Sequence, residues 1–391
     1  MKRKPLYIYS DDLLGYHFHP RHPFNQKRLK ITKDLLETLG YLSPDQIIAP
    51  RPATENELSL IHHHKYIQVI KTLSDLNELT DQEFFAEQFG IGTEDTPHFP
   101  NMHQATSLIV GGTLLGAELI MQGKAEQVLN MSGGLHHAFQ GKAAGFCIYN
   151  DCSVAISYLQ KKYKLKVLYI DTDAHHGDGV QWAFYDDPNV FTLSIHETGR
   201  YLFPGTGHFT ERGDGRGFGY SLNIPLDAYT QDESWLECFE EALAEVIDFF
   251  KPDFILSQHG CDAHFYDPMT HLASSMHIYA EIPRLIKEAS KKYSQGRWLA
   301  VGGGGYDIWR VVPRAWSMIW MVMNDIPIVQ QEIPLSWKRK WGHKATKTLP
   351  SFLLDLEEDY PFIPRQKEIE IQNTITKNKA LSFLRHQKHR A

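Results

Sequence analysis

Short apolar runs, rich in β-branched residues, alternate with longer amphipathic segments along most of the chain. The predicted strands, in order, are PLYIYS, QVLNM, KVLYIDTD, VFTLSIH, YSLNIPL, DFILSQHG and RWLAVGGGG. Apolar positions at helical spacing predict helices in DCSVAISYLQKKY, DESWLECFEEALAEVIDFF and HIYAEIPRLIKEASKKY, which lie between strands. Nearly all-apolar strands separated by helices indicate a parallel sheet that is covered on both faces. We therefore predict a single α/β domain built on an open, mostly parallel sheet with helices on both faces.

Both ends of the chain depart from this alternation. The residues before Gln127 are predicted to be mostly helical, and their longest apolar stretch, SLIVGGTLLGAELIM, is predicted to be a buried helix too short to span a bilayer. The segment from residue 341 to residue 391 is charged and contains three prolines. We expect residues 1–340 to form the main domain and residues 341–391 to pack on it or fray from it.

Composition restricts the cellular compartment and the partners of the protein more than it restricts its activity. With 391 residues, 42% of them hydrophobic, the chain is large enough to bury a core without disulfides, and its four scattered cysteines indicate a reducing compartment. A net charge of −7 argues against nucleic acid as a partner, because phosphates would repel the protein. The basic start MKRK is followed by acidic residues before any long apolar run, unlike a secretory signal. We expect a cytoplasmic protein that binds neither membrane nor nucleic acid.

Histidine is unusually frequent, with 21 in the chain, and several histidines lie where predicted strands end. In open parallel sheets, ligands bind beyond the carboxyl ends of the strands. In VLYIDTDAHHGDGV, residues Asp171, Asp173 and His175 alternate at such an end, so their side chains share one face. Carboxylates and an imidazole in this pattern suit a divalent ion that keeps an open position. The plainer alternative is a turn in which these side chains cap the backbone.

Two further polar clusters follow other predicted strands. In SGGLHHAFQGKAAGFCIYN, His136 and His137 follow a glycine pair and suit general acid–base work, although such a pair is also common at surfaces and in hydrogen-bonded cores. In QHGCDAHFYDP, Asp262 is a candidate to complete a three-ligand site with Asp173 and His175. Other ligands remain open in this segment, namely His259, His264 and Asp267.

A glycine run ends the last predicted strand. VGGGGYDI places Tyr306 after this run, where a phenol can donate a hydrogen bond to a developing oxyanion. Neither this run nor GDGRGFGY matches a nucleotide-binding loop. Two other histidine clusters, HFHPRHP and HHHKY, are predicted to be mostly solvated or capping rather than metal-binding; their members are His17, His19, His22, His62, His63 and His64.

Together, GGLHHA, GFCIYND, YIDTDAHHGDGV, FPGTG, CDAHFYDP and GGGGY occur in the order and approximate spacing of the zinc-dependent histone deacetylase family. The resemblance covers residues 5–325, and HPRHPFNQKRLKITKDLL is similar to the loop and helix of class I members. The motifs most resemble those of the bacterial acetoin-utilisation protein deacetylases. The resemblance implies an arginase/deacetylase-like fold, a catalytic domain over residues 1–340, and hydrolysis of N6-acetyl-lysine in proteins with release of acetate.

The same resemblance assigns a metal site and a proton-transfer pair. Zn²⁺, with Fe²⁺ as an alternative, would be bound by Asp173, His175 and Asp262. His137 would act first as general base and then as general acid, oriented by Asp178. Zinc supplies an activated water and polarises a carbonyl, and a histidine near neutral pKa can then move the proton to the leaving amine.

Further groups near the reacting amide are also implied by the resemblance. His136, backed by Asp171, would hold the attacking water, and Tyr306 would polarise the acetyl carbonyl. A structural monovalent cation, usually K⁺, is expected near the same strand end. Its implied ligands are Asp171, Asp173, His175 and Ser194.

A narrow channel for the methylene stem of the lysine completes the implied site. Phe146 and Phe203 would form its walls, and the carbonyl of Gly145 would accept the amide N–H of the substrate. Asp95, in GTEDTP, matches the aspartate that grips the substrate backbone at the rim.

Three positions depart from the class I pattern. Ser132 stands where alanine or proline is common before the glycine pair, while His259 and Cys261 stand where many members have cysteine and alanine. The implied metal ligands and proton-transfer residues are all present, so the departures bear on inhibitor and acyl preference rather than on the reaction.

The expected partner is an acetylated protein or peptide, with an acyl-CoA synthetase as a specific hypothesis. The main alternative is an acetylpolyamine amidohydrolase, which shares the metal chemistry. A two-metal, arginase-like hydrolase would need a second carboxylate at the position of Gly260. The alternative from another class is a non-catalytic, metal-dependent binding module.

Overall fold

The computed structural model describes residues 3–79 and 83–388, and these residues form one sheet of eight strands flanked by helices. The strands are β1 (Leu6–Ile8), β2 (Ile47–Ile48), β3 (Gln127–Asn130), β4 (Val167–Asp171), β5 (Val190–Glu197), β6 (Ser221–Leu226), β7 (Phe254–Gln258) and β8 (Trp298–Val301). Their order across the sheet is β2-β1-β3-β8-β7-β4-β5-β6, and every neighbouring pair is parallel.

The seven predicted strands all lie in this sheet, and the predicted open parallel α/β architecture is confirmed. The central strands β3, β4, β7 and β8 are buried at every position, as expected for a sheet covered on both faces. The edge strand β2 was not predicted. It has only two residues, which pair with β1 through Tyr7 and Ile47, and a run this short carries no recognisable period.

Twelve helices surround the sheet within the described part of the chain. They are α1 (Lys27–Thr38), α2 (Glu55–Leu58), α3 (His64–Ser74), α4 (Glu83–Glu87), α5 (Met102–Met121), α6 (Asp151–Tyr163), α7 (Asp178–Ala183), α8 (Asp232–Phe250), α9 (Met276–Tyr293), α10 (Val312–Met323), α11 (Leu335–Gly342) and α12 (Gln366–Lys388).

The helices divide into two layers. In the first layer, α5 and α6 pack against each other; α5 lies on β3 and β8, and α6 lies on β4. In the second layer, α9 packs between α8 and α10; α8 lies on β5, and α1 packs against α10. The three helices predicted from periodicity are confirmed. Of these, α9 begins one residue earlier than expected, because Ser275 caps it by accepting the backbone N–H of His277.

The predicted buried helix is α5, and it is longer than the apolar stretch that predicted it. Its 20 residues make it the one described helix with the length and composition to cross a membrane, so the expectation that it is too short was wrong. The same helix is 67% buried in its most apolar window and packs on α6, β3 and β8. It is therefore a core helix of this fold.

The C-terminal segment docks on the main domain through α12, which lies along α8 and β6. Asn373 is 1% exposed; its side-chain amide donates to Thr230 and Ser234, and its oxygen accepts the backbone N–H of Asp227. Lys377, whose side chain is 4% exposed, pairs with two glutamates of α8. Because a buried lysine needs such partners, these ion pairs fix the position of α12 along α8.

Two histidines predicted to be solvated or capping are buried. His62 is 2% exposed; its Nε2 accepts the backbone N–H of Asn150 at 3.0 Å, and its Nδ1 lies 3.3 Å from the carbonyl oxygen of Gln140. His22 is 6% exposed, and its ring packs edge-on against Phe146 at 4.7 Å. The prediction was wrong for both residues because their partners are far away in sequence.

The burial of His62 predicts an acid-sensitive step in stability. Burial lowers its pKa from 6.5 to about 4. Between these values the unfolded chain binds a proton that the folded chain does not, so the free energy of unfolding falls as the pH falls. A shift of this size corresponds to about 3 kcal/mol. The free energy of unfolding is measured in urea at pH 7.0 and at pH 4.5. Between these pH values it should decrease by about 2–3 kcal/mol less in His62→Gln than in the wild type.

The matched control is His64→Gln, because the side chain of His64 is 74% exposed. Its loss of stability between the two pH values should parallel that of the wild type. Equal losses in His62→Gln and the wild type would show that His62 does not contribute.

Candidate active site

The strand order collects the predicted site residues at one edge of the sheet. β3, β8, β7 and β4 are consecutive neighbours, and all their carboxyl ends face the same way because the strands are parallel. The loops that follow these four strands carry the histidine pair, Tyr306, Asp262 and the Asp173–His175 segment respectively. Segments up to about 170 residues apart in the chain therefore meet at one site.

Asp173, His175 and Asp262 converge on one point. One donor atom from each residue can be chosen so that all three lie within 4.8 Å of one another. Nδ1 of His175 lies 2.9 Å from Oδ2 of Asp262 and 3.2 Å from Oδ1 of Asp173. Ligands around a tetrahedral zinc ion are about 3.3 Å apart. Within the described residues this is the one such cluster, and it fits a divalent ion.

The remaining carboxylate oxygens of this cluster are held by the protein. Oδ2 of Asp173 accepts hydrogen bonds from the side chain of Gln258 and from the backbone N–H of Gly304, both at 2.7 Å. Oδ1 of Asp262 accepts the backbone N–H of Ala174 at 2.9 Å. Such outer contacts fix the direction of a metal ligand. Gln258, at the end of β7, is a supporting residue that the sequence did not single out.

Two glycines leave the space that this cluster needs. A Cβ atom at Gly260 would lie 2.1 Å from Oδ2 of Asp173, and one at Gly304 would lie 2.2 Å from Oδ2 of Asp262. Neither position can hold a side chain without displacing a carboxylate. A second metal-binding carboxylate at residue 260, as the two-metal alternative requires, therefore does not fit this site.

The two carboxylates of this cluster are buried and close to each other. Asp173 and Asp262 are 1% and 0% exposed. Burial and the neighbouring charge of Asp173 raise the pKa of Asp262 to about 6. Two buried carboxylates so close together repel each other unless a cation lies between them. The electrostatics thus support the same conclusion as the geometry.

The two adjacent histidines pair with different carboxylates. Nδ1 of His137 lies 2.7 Å from Oδ1 of Asp178, and Nδ1 of His136 lies 2.8 Å from Oδ2 of Asp171. All four side chains are buried, and the histidine rings are 4.0 Å apart. In each pair the carboxylate accepts a hydrogen bond from Nδ1 and sets the ring orientation, which in His137 leaves Nε2 available.

The environments of the two histidines shift their pKa values in opposite directions. Burial alone would lower the pKa of His136, but the charges of Asp171 and Asp173 outweigh it and raise the pKa to about 9. Burial and the nearby His136 lower the pKa of His137 in spite of Asp178. At neutral pH, His136 is therefore charged, and His137 is neutral and able to accept a proton.

The loop that carries these histidines is anchored by the start of α6. Oδ1 of Asp151 accepts the backbone N–H groups of Gly134 and Leu135 at 3.1 and 2.8 Å. The side chain of Asn150 donates to the carbonyl oxygens of His136 and Ala138, while its own backbone N–H is held by His62. These anchors lie in the GFCIYND motif, where an asparagine before an acidic residue also marks a helix start.

Aromatic rings surround the approach to this site. The ring of Phe203 lies 4.9 Å from that of His137, and the ring of Phe146 meets Tyr306 edge-on at 5.8 Å. Phe146 has a left-handed backbone, with φ of 67°, and its carbonyl oxygen accepts the hydroxyl of Tyr16 at 2.6 Å. A bulky residue in this conformation stores strain, which the hydrogen bond helps to hold.

Tyr306 is held through its backbone, because its N–H donates to Oδ2 of Asp267 at 2.7 Å. Burial and the charge of Asp262 raise the pKa of the Tyr306 phenol well above its usual value. The phenol therefore stays protonated and remains a hydrogen-bond donor.

Asp95 forms a hydrogen bond with the backbone of the same protein, at Gly145. Its Oδ2 accepts the backbone N–H of Gly145 at 2.6 Å, and the carbonyl oxygen of Gly145 accepts the thiol of Cys147 at 3.1 Å. The expected substrate-holding aspartate and the expected carbonyl acceptor thus form one connected unit.

Ser194 lies beside the end of β4, as expected of a cation ligand in that region. It is the register partner of Asp171 on the neighbouring strand β5. Its hydroxyl lies 2.8 Å from Nδ1 of His196, which is fully buried. Two of the implied potassium ligands, Asp171 and Ser194, therefore lie side by side on adjacent strands.

The other candidate ligands of the β7 loop have different roles. Nε2 of His259 lies 2.7 Å from the hydroxyl of Ser257, and Nε2 of His264 lies 3.0 Å from Asp355. Asp267 holds the backbone of Tyr306. Asp262 is thus the one member of this segment that reaches the metal cluster.

Comparison with known proteins agrees with this geometry. The histone deacetylase domain matches residues 22–323. The chain is 54% identical to the acetoin utilization protein AcuC of Bacillus subtilis over 99% of both chains. It is 50% identical to the protein of the same name from Staphylococcus aureus strain MRSA252, over 95% of this chain and 94% of that one.

Solved structures show the same fold. The crystal structure of an HDAC homolog complexed with SAHA covers 96% of this chain with a TM-score of 0.85 and 30% identity, and all of that chain is matched. The structure of an HDAC homolog from Aquifex aeolicus gives a TM-score of 0.84 at 29% identity. The resemblance predicted from the motifs is confirmed, and the chain belongs to the histone deacetylase family of hydrolases.

Proposed function

We propose that this protein hydrolyses the acetyl amide of N6-acetyl-lysine in polypeptides and releases acetate and a free lysine. The observation that carries the proposal is the conjunction of three elements at one place. A two-aspartate, one-histidine cluster, the His137–Asp178 pair and a protonated Tyr306 meet behind two aromatic rings. A binding module would need the cluster but would have no use for the other two elements.

Asp173, His175 and Asp262 would hold the metal, with Zn²⁺ as the first choice and Fe²⁺ as the alternative. The mixed oxygen and nitrogen donor set suits either ion. When bound, such an ion lowers the pKa of water and acts as a Lewis acid on a carbonyl.

His137 is the group that moves the proton. Its Nδ1 is engaged by Asp178, so its Nε2 faces the site and takes a proton from the attacking water. The same nitrogen then delivers a proton to the leaving lysine amine. His136, charged by its pairing with Asp171, adds positive potential beside the developing negative charge.

Tyr306 stabilises the oxyanion that develops on the acetyl carbonyl. A hydrogen bond to developing charge is most effective from a donor that is already in place. The backbone contact with Asp267 keeps the tyrosine in position, and its raised pKa keeps the hydroxyl hydrogen available.

Phe146 and Phe203 supply an apolar passage for the four methylene groups of the lysine stem. Asp95 is proposed to hold the substrate backbone at the rim through Oδ1, which makes no hydrogen bond within residues 3–79 and 83–388. This arrangement favours a polypeptide over a free polyamine, which has no backbone N–H to offer.

A structural K⁺ ion is proposed at the strand junction near Ser194, with oxygen atoms of Asp171, Asp173, His175 and Ser194 as its ligands. The support is charge balance, because Asp171 and Asp173 are both buried there. The names of the AcuC relatives suggest a role in acetoin utilisation. An acyl-CoA synthetase in the cytoplasm is the proposed physiological substrate.

A substrate panel tests the proposal directly. Purified protein should hydrolyse an acetyl-lysine peptide with a kcat/KM at least about ten-fold higher than that for N-acetylputrescine, because only the peptide can engage the rim. Acetate release is the measurement. A strong preference for the polyamine would instead identify an acetylpolyamine amidohydrolase.

Two substitutions separate chemistry from metal binding. His137→Ala should lower kcat by about 10²- to 10⁴-fold and Tyr306→Phe by about 10²- to 10³-fold, with metal content unchanged in both. Asp262→Asn should lose metal as well as activity. The exposed His64→Ala serves as control and should change neither. Undiminished turnover in both His137→Ala and Tyr306→Phe would disprove the mechanism.

Removing and replacing the metal tests how many metal ions each chain needs. A chelator should abolish activity and lower the thermal midpoint of unfolding, because the buried carboxylates then repel each other. One equivalent of Zn²⁺ or Fe²⁺ per chain should restore both, and the ion that gives the higher kcat/KM identifies the preferred metal. A requirement for two divalent ions would contradict the close contact between Gly260 and Asp173.

A further inference from the structure

A cavity of about 730 Å³ lies between the loop that carries Phe203 and the C-terminal segment. One wall is formed by Tyr201 and Tyr229, and the other by Phe362, Ile363 and Ile369. The second wall lies outside the residues that match the histone deacetylase domain, which end at residue 323. No step of the proposed reaction uses this space.

The cavity adjoins the mouth of the channel. Tyr201 is two residues before Phe203 in one loop; Phe203 faces His137, whereas Tyr201 lines the cavity. Two residues of chain span at most about 7 Å. A polypeptide whose acetyl-lysine enters beside Phe203 would therefore extend past Tyr201, which places a residue two or three positions away next to the cavity.

The walls of the cavity are held in place before any ligand arrives. The hydroxyl of Tyr201 accepts the backbone N–H of Ala228 at 3.0 Å. The carbonyl oxygen of Pro361 accepts the side chain of Gln231 at 3.2 Å, and Asn373 is buried among hydrogen bonds to the same loop. A binding site that is already formed loses little entropy when it is occupied.

The surface of the cavity is aromatic and exposed. Phe362 is 87% exposed, Tyr229 is 53% exposed and Tyr201 is 52% exposed. Tyr229 also has a left-handed backbone, with φ of 64°, a conformation that is costly for a bulky side chain. Exposed apolar groups that cluster in this way mark a binding surface.

The charges at the rim restrict what can bind. The charged residues of the lining are Arg365, which pairs with Glu368, and Asp227, so the lining carries one net negative charge. An acidic side chain would be repelled by Asp227. An apolar side chain would not be, and the backbone N–H groups of the bound polypeptide can donate hydrogen bonds to this carboxylate.

We propose that this cavity binds an apolar side chain two or three residues from the acetyl-lysine of a polypeptide substrate. The proposal rests on the proposed function and makes the C-terminal segment part of substrate recognition. The contact lies away from the reacting amide, so it acts mainly on KM.

The experiment compares two acetyl-lysine peptides that differ only in carrying leucine or serine at the second and third positions on both sides. For the wild type, kcat/KM should be about ten-fold higher for the leucine peptide, mostly through KM. In Tyr229→Asn this ratio should fall towards one. Asparagine tolerates the left-handed backbone, so the thermal midpoint should be equal to or above that of the wild type.

A second variant and a control complete the design. Phe362→Ser, at the exposed side of the other wall, should also lower the ratio. Leu335→Asn removes a side chain that is 63% exposed outside the cavity lining and should leave the ratio at its wild-type value. An unchanged ratio in both cavity variants, or no preference for leucine in the wild type, would overturn the inference.

Two other outcomes are distinguishable. In one, the wild type is a dimer in solution and Tyr229→Asn is a monomer. This result would show that a second copy of the chain fills the cavity, which overturns the inference. Failure of the wild type to hydrolyse both peptides as well as acetyl-lysine with blocked termini would disprove the proposed function itself, because the blocked amino acid does not reach the cavity.

Discussion

Four buried aspartates, Asp171, Asp173, Asp178 and Asp262, meet at the carboxyl edge of the sheet, and the surrounding structure supplies partners for their carboxylates. Each is at most 3% exposed. Burying a carboxylate is unfavourable unless hydrogen bonds and positive charge replace water. The compensation comes from His136, His137 and His175 and from backbone N–H groups such as that of Gly304, and a metal ion held by Asp173, His175 and Asp262 would add to it.

This electrostatic requirement explains features that lie at some distance from the chemistry. The glycines at 260 and 304 are needed because a Cβ atom there would displace a carboxylate oxygen. The histidine loop after β3 must be rigid, and it is held by Asp151 and Asn150 at the start of α6, with His62 behind them. Rigid loops on a parallel sheet keep the charged groups at distances where their pKa values separate into a charged His136 and a neutral His137.

The C-terminal segment adds to the fold what the family-matched region does not contain. Its helix α12 lies on α8 and β6, and Asn373 ties it to the loop after β6. Through Ala228 and Tyr201, that loop contacts the segment that carries Phe203, whose ring lies beside that of His137. The C-terminal segment is thus connected through hydrogen bonds to the loop that carries Phe203.

The histidine-rich composition separates into groups with different physical roles, and this separation shows where sequence reasoning succeeded and where it did not. The placement of Asp173, His175, His137 and Tyr306 at the carboxyl edge of the sheet could be predicted, because each follows a strand whose apolar run is visible in the chain. Gln258 and His62 were missed or misjudged, because their importance comes from partners 85 and 88 residues away. The edge strand β2 escaped notice because two residues do not form a pattern.

The sequence by itself determined the parallel α/β architecture, the order of its elements and the set of polar residues at the strand ends, since periodicity and turn chemistry act over a few neighbouring residues. The tertiary structure alone decided which strands are adjacent, which carboxylate faces which histidine, and which side chains are excluded from water. These depend on contacts between segments far apart in the chain. The direction of a pKa shift follows from burial and neighbouring charge, so the roles of His136 and His137 became distinct only in the folded protein.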